Sequence, residues 1–243
     1  MTIRLRHTFC VAALLVSGCG VFISYPTIRY RLRVEVDTPS GVRTGSSVMQ
    51  ISCSSTHTQV PWINGVGCET KGEAVAVDLL GGKTLFALLT RPGESGGGAG
   101  YAFLAFPSNH APSADPGVAI TEVAAKTGTA ILPRHVNSLV EQHAESDPPS
   151  AYPMLVTFKN IEDPKSVVAV DADHLDATFG AGVKLRRITV TMTDDAVTTG
   201  IVKRLRWLGT SVRGYLDGQV TGGGPELANI LETGSFKASI YND

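Results

Sequence analysis

The glycine-rich stretch GESGG, residues 93–97, places Ser95 where a G-x-S-x-G motif would carry a nucleophile. Such a serine needs a base to take its proton, an orienting acid and donors for the oxyanion. In a hydrolase elbow it sits between a strand and a helix. Here GGAGYAFLAF runs glycine-rich into a predicted strand, and the nearest upstream histidine, His57, lacks trypsin-like surroundings. Ser95 therefore reads as part of a glycine-serine loop, and a serine hydrolase using it is the alternative. GGKT at 81–84 lacks the earlier glycine of a phosphate-binding loop, because position 77 is Val77. DADHLD groups Asp171, Asp173, His174 and Asp176, without the glycine and terminal glutamate of a calcium loop. It reads instead as a strand end with Asp173 capping a short helix. His57, His110, His135, His143 and His174 show no zinc spacing. The sequence therefore predicts no metal ligands, no catalytic residues and no cofactor.

Cys19 has different chemistry. Arg4, Arg6 and His7 precede a short apolar run at 8–16, which is too brief to span a bilayer core of roughly 30 Å. Small residues follow, and Val16-Ser17-Gly18-Cys19 resembles a bacterial lipobox. That resemblance implies cleavage before Cys19, a diacylglyceryl group on its sulfur and an acyl chain on the new amino terminus. A thiolate is the nucleophile such a transfer needs, and several acyl chains anchor stably where one does not. Gly20 in place of an aspartate implies transfer to the outer membrane. Residues 1–18 are then the signal peptide and 19–27 a lipidated tether, the protein facing the periplasm from the membrane.

Two cysteines, Cys53 and Cys68, remain after Cys10 leaves and Cys19 is acylated. An even pair in an oxidising compartment predicts a disulfide. Residues 1–18 remove Arg4 and Arg6 and no acid, so 19 Lys and Arg face 22 Asp and Glu, a formal charge of −3. That balance argues against a nucleic-acid partner.

The elements behind these residues read as mainly β. IRYRLRVEVD at 28–37 alternates without interruption: Ile28, Tyr30, Leu32, Val34 and Val36 against Arg29, Arg31, Arg33, Glu35 and Asp37. The arginines form the wet face of a one-sided or edge strand, with lipid headgroups or an envelope polymer as alternative contacts. TPSG at 38–41 turns into a returning strand at 46–54. GEAVAVDLLGGKTLFALLT predicts a hairpin about Gly81-Gly82 whose arms are apolar on both faces and so central. Further strands are expected at 101–106, 153–159, 166–170 and 183–193, with helical patches near 134–144, 173–179 and 200–208. The last carries Lys203, Arg204 and Arg206 beside Ile201, Leu205 and Leu208. This pattern predicts an antiparallel β-sandwich or partly open barrel with a few short helices over 28–243. RPGESGGGAG at 91–100 and AESDPPSAYP at 144–153 read as loops, the second a possible divider between two subdomains near 144–153.

RYRLRVEVDTPSGVRTGSSVMQI, YPMLVTFKNIEDPKSVVAVD and VKLRRITVTMTDDAVTTGIVKRLRWL resemble segments of an uncharacterised group of proteobacterial envelope proteins, many of them lipoproteins. The TPSGVRTGSSVMQI hairpin is also similar to the opening of immunoglobulin-like or transthyretin-like sandwiches. Neither resemblance brings an activity. The expectation is a lipid-anchored envelope protein that binds or scaffolds an envelope protein or polymer. An envelope hydrolase and an inhibitory, immunity-type lipoprotein are the alternatives.

Overall fold

A computed structural model describes residues 21–57, 65–94, 100–108, 116–136, 150–209 and 214–238. The chain is mainly antiparallel β, with two sheets and four short helices among the described residues, and is consistent with a β-sandwich. The strands are β1 (Val21–Ser24), β2 (Ile28–Thr38), β3 (Gly41–His57), β4 (Gly65–Glu73), β5 (Val75–Asp78), β6 (Thr84–Ala87), β7 (Thr129–Ile131), β8 (Leu155–Phe158), β9 (Val167–Ala169), β10 (Lys184–Met192) and β11 (Lys237–Ala238). The helices are α1 (Tyr101–Ala105), α2 (Pro116–Ala124), α3 (Leu175–Phe179) and α4 (Ile201–Arg204). The larger sheet runs β11-β4-β3-β2-β10-β7, with β1 also paired to β3, and the smaller runs β5-β6-β8-β9.

β2 and β3 form a long hairpin, from Ile28↔Ile51 to Thr38↔Gly41. The alternation of β2 sends Ile28, Tyr30, Leu32, Val34 and Val36 into the core, all at most 1% exposed. Its partner β10 carries a bulge between Leu185 and Arg187. An extra residue there lets two consecutive arginines reach the acids of β2. Arg186 Nε lies 2.9 Å from Asp37 Oδ1, and Arg187 Nε lies 2.8 Å from Glu35 Oε2.

The small sheet is buried on both faces. Val75, Val77, Leu85, Ala87 and Leu155 turn toward the large sheet, whereas Ala74, Phe86, Leu88 and Val156 turn away from it. Strand alternation gives a two-faced strand two cores when both sides are covered. The second core is closed by α4 and the C-terminal segment, where Trp207 and Phe236 join Phe86 and Phe158 at ring separations of 5.5–6.3 Å. Backbone bonds from Ala74 N to Phe236 O (2.8 Å) and from Leu89 N to Ser235 O (2.9 Å) fasten this third layer. The apolar arms of the predicted hairpin are thus explained by a middle layer. Gly81 and Gly82 take φ of 71° and 74° in its turn, values that suit glycine. The two sheets approach closely at Gly45, where an added Cβ would stand 2.1 Å from Ala76 O.

Several expectations are corrected. In place of the strand expected at 101–106, Tyr101–Ala105 forms helix α1. Their unbroken apolar run suits either state, and the Tyr101 hydroxyl donates to Leu88 O at 2.8 Å. The patch at 134–144 is not helical where it is described: His135 bridges to Ser150 in extended pairing. Within the expected tether at 19–27, the described positions 21–25 are not free, because Val21–Ser24 pairs with β3 and Tyr25 N donates to Cys53 O at 3.0 Å. Strands on either side of 144–153 pair with one another, β6 with β8 and β2 with β10. β2 is an inner strand with one wet face, not an edge strand. Helix α2 was not anticipated; Pro116 at its start was the available signal.

Candidate functional site

Cys19 and Ser95 both lie outside the described residues, as do His110 and His143. Cys53 and Cys68 face one another across β3 and β4 and are joined by a disulfide, their Cα atoms 4.1 Å apart. The bridge closes the return from β3 to β4 beside the strand pair that receives β1.

The acidic motif at 171–176 is a surface arrangement of ion pairs. Asp173 does not cap the helix. Its carboxylate meets Arg134 Nη2 at 2.8 Å, which holds it below the usual range, and His174 occupies the N-cap of α3. Asp171 accepts from Asp173 N at 2.9 Å and lies 2.8 Å from His174 Nδ1. That contact raises the pKa of His174 and lowers that of Asp171. Arg134 also donates to Ser150 Oγ at 2.7 Å and lies 5.1 Å from the centre of the Tyr152 ring. Among the described residues no group of three or more His, Cys, Asp or Glu side chains is placed to hold a metal.

The arginine stripe is partly engaged within the molecule. After β10 the chain crosses the outer face of the large sheet. Arg29 Nη1 donates to Asp194 O (3.0 Å) and Arg31 Nη2 meets Asp195 Oδ2 (2.6 Å). Beyond the stretch where β4 pairs with β3, Thr198 takes both backbone groups of Val48, at 2.8 and 3.0 Å. Val48, an outward residue, is consequently only 1% exposed. The buried Glu73 carboxylate ends the crossing by accepting Gly200 N (3.0 Å) and Ile201 N (2.8 Å). Of the basic patch on α4, Arg204 forms a two-pronged pair with Asp78, at 2.5 and 3.0 Å.

Where this crossing begins, a cleft of about 420 Å³ opens between three elements. The start of β2 contributes Thr27, Ile28 and Arg29; the end of α2 and its following turn contribute Ala124, Lys126 and Thr127; the end of β10 contributes Met192, Thr193 and Asp194. Backbone bonds fix the walls: Thr193 N to Arg29 O (3.1 Å), Met192 N to Gly128 O (3.0 Å) and Lys126 N to Val123 O (3.0 Å). α2 is held against the N-terminal segment at Gly117, where an added Cβ would stand 2.4 Å from the Tyr25 ring. Arg29 is fixed by Gln50 Oε1, which accepts from Nε at 3.2 Å and Nη2 at 3.0 Å. Lys126 Nζ stays 3.9 Å from Glu122. Threonine hydroxyls, two cations, one carboxylate and an apolar wall suit a small polar ligand better than an acyl chain.

These residues come from positions as far apart as 27 and 194, and no local pattern announces them. Comparison with protein-family models, curated proteins and solved structures finds no match for this chain.

Proposed function

We propose that this is a lipid-anchored envelope protein whose sandwich is held at the membrane surface and binds there through the cleft beside its N-terminal strand. The lipobox-like Val16-Ser17-Gly18-Cys19 supports the anchor. The observation that carries the reading is the position of β1, whose first residue, Val21, is two residues after Cys19 and already paired to His57. A chain acylated at Cys19 would have almost no slack before the folded domain. Thr27 of the cleft is eight residues from Cys19, at most about 28 Å even if extended. Among the described residues no helix is long and apolar enough to cross a membrane, so attachment in this reading falls to the lipid. The disulfide between Cys53 and Cys68 agrees with an oxidising compartment.

The test is fractionation of cells expressing the native chain and Cys19→Ala. Native protein should sediment with membranes and resist salt extraction, and the variant should lose that attachment. A variant that stays as tightly bound as the native protein contradicts the anchor.

A further inference from the structure

The charged side chains of the cleft are incompletely satisfied by the protein itself. A guanidinium has five N–H donors. Arg29 directs three hydrogen bonds to Gln50 and to Asp194 O, which leaves two N–H groups. Lys126 has Glu122 at 3.9 Å, beyond hydrogen-bond length, and the other oxygen of Glu122 accepts from Ser108. The Asp194 carboxylate is exposed, and among the described residues it has neither a hydrogen bond nor an ion pair. Two incompletely paired cations and one unpaired carboxylate therefore share one concavity with the hydroxyls of Thr27, Thr127 and Thr193. A simple anion would satisfy the cations and be repelled by Asp194. A simple cation would meet the reverse. A zwitterion carrying a phosphate and, a few bonds away, a primary ammonium satisfies all three groups.

We propose that this cleft binds a phosphoethanolamine group, its phosphate against Arg29 and Lys126 and its ammonium against Asp194. The group could come from a bilayer headgroup or from a soluble ester. Only the bilayer source rests on the membrane location proposed above. The half-buried Ala124 and Met192 lie beside the polar groups, where the glycerol end of a headgroup would pass.

The full chain carrying Cys19→Ala, which removes any lipid anchor from the measurement, is titrated calorimetrically with O-phosphoethanolamine, inorganic phosphate and ethanolamine. Saturable binding is expected for phosphoethanolamine, with phosphate weaker and ethanolamine weakest. Adding Lys126→Ala should weaken phosphoethanolamine about tenfold, the loss of one charge-assisted contact, and Lys126→Arg should restore most of it. Adding Asp194→Asn should abolish the preference for phosphoethanolamine over phosphate. All variants should unfold at the temperature of the parent, because neither head group is tied into the fold. Co-sedimentation with phosphatidylethanolamine vesicles, lost in Asp194→Asn and absent with phosphatidylglycerol vesicles, assigns the bilayer source. Binding of the free ester without sedimentation on either vesicle supports the site with a soluble source. Absence of saturable phosphoethanolamine binding, or binding unchanged by both Lys126→Ala and Asp194→Asn, overturns the proposal, whatever the fractionation of Cys19→Ala shows.

Discussion

Gly45→Ala should be among the most damaging single substitutions in the large sheet, although it adds one methyl group. Gly45 pairs with Val34 and faces the small sheet, where its missing Cβ leaves room for the backbone of β5. An added Cβ would stand 2.1 Å from Ala76 O, 2.8 Å from Ala76 C and 3.1 Å from Val77 Cγ2. Relief requires β5 to retreat by more than 1 Å, and the obstacle is backbone rather than the end of a flexible side chain. β5 cannot retreat cheaply, because it is paired to β6 from Val75↔Ala87 to Asp78↔Thr84, and Val75 and Val77 are fully buried. Overpacking typically costs about 1–3 kcal/mol. A clash against fixed backbone belongs at the upper end, so we expect about 3 kcal/mol. For a chain of this size that is a fall in Tm of roughly 6–12 °C. Gly67→Ala is the matched control, since nothing lies within 4 Å of its added Cβ and its φ is not positive. It should be neutral or stabilising by up to about 1 kcal/mol. Urea and thermal unfolding of both variants, with the disulfide oxidised, measure the difference. A Gly45→Ala cost within 1 kcal/mol of that control would refute the close sheet-to-sheet contact.

Replacing Cys53 and Cys68 together by alanine should lower stability by about 3 kcal/mol, the chain-entropy value for a sequence separation of 15. Two free thiols on the denatured, unreduced protein cleaved before Cys19 and acylated there would contradict the bridge. His174 should titrate above 6.5, and Asp171→Asn should return its midpoint toward that value by NMR. The small stabilisation from this exposed pair is fully present below 6.5 and is lost as pH rises through the raised pKa. An unchanged midpoint in Asp171→Asn would rule out the carboxylate as the cause. Ser95→Ala should leave stability and cellular phenotype unchanged, and covalent labelling of Ser95 by a serine-directed phosphonate would revive the hydrolase reading.

How much of this could be read in advance depended on how locally each feature is encoded. β2 was legible because every second residue faces one core, and the cysteine pair because Cys53 and Cys68 are the two cysteines that follow the lipobox-like Cys19. The bulge in β10 also left a trace: Leu185 packs on the core from an odd position, whereas Ile188 and Val190 do so from even ones. That parity shift falls at the two arginines. α1 was misread because five apolar residues fit a buried strand or a buried helix equally well. The C-terminal layer has no period, since its 3-10 turns and irregular segments are held by contacts to Phe86, Leu89 and Ala74 far away in sequence. The crossing at 193–200 was invisible for the same reason, its fastenings being Arg29, Arg31, Val48 and Glu73. So was the cleft, whose cations come from a strand and from the turn after a helix nearly a hundred residues later.

What Cys19 carries decides whether the protein is lipid-anchored, and the intact mass of the amino-terminal peptide from membrane-purified protein answers that directly. The expected mass is that of a chain beginning at Cys19 with a diacylglyceryl group on the sulfur and an acyl chain on the amino group. A chain beginning elsewhere, or an unmodified Cys19, would contradict it.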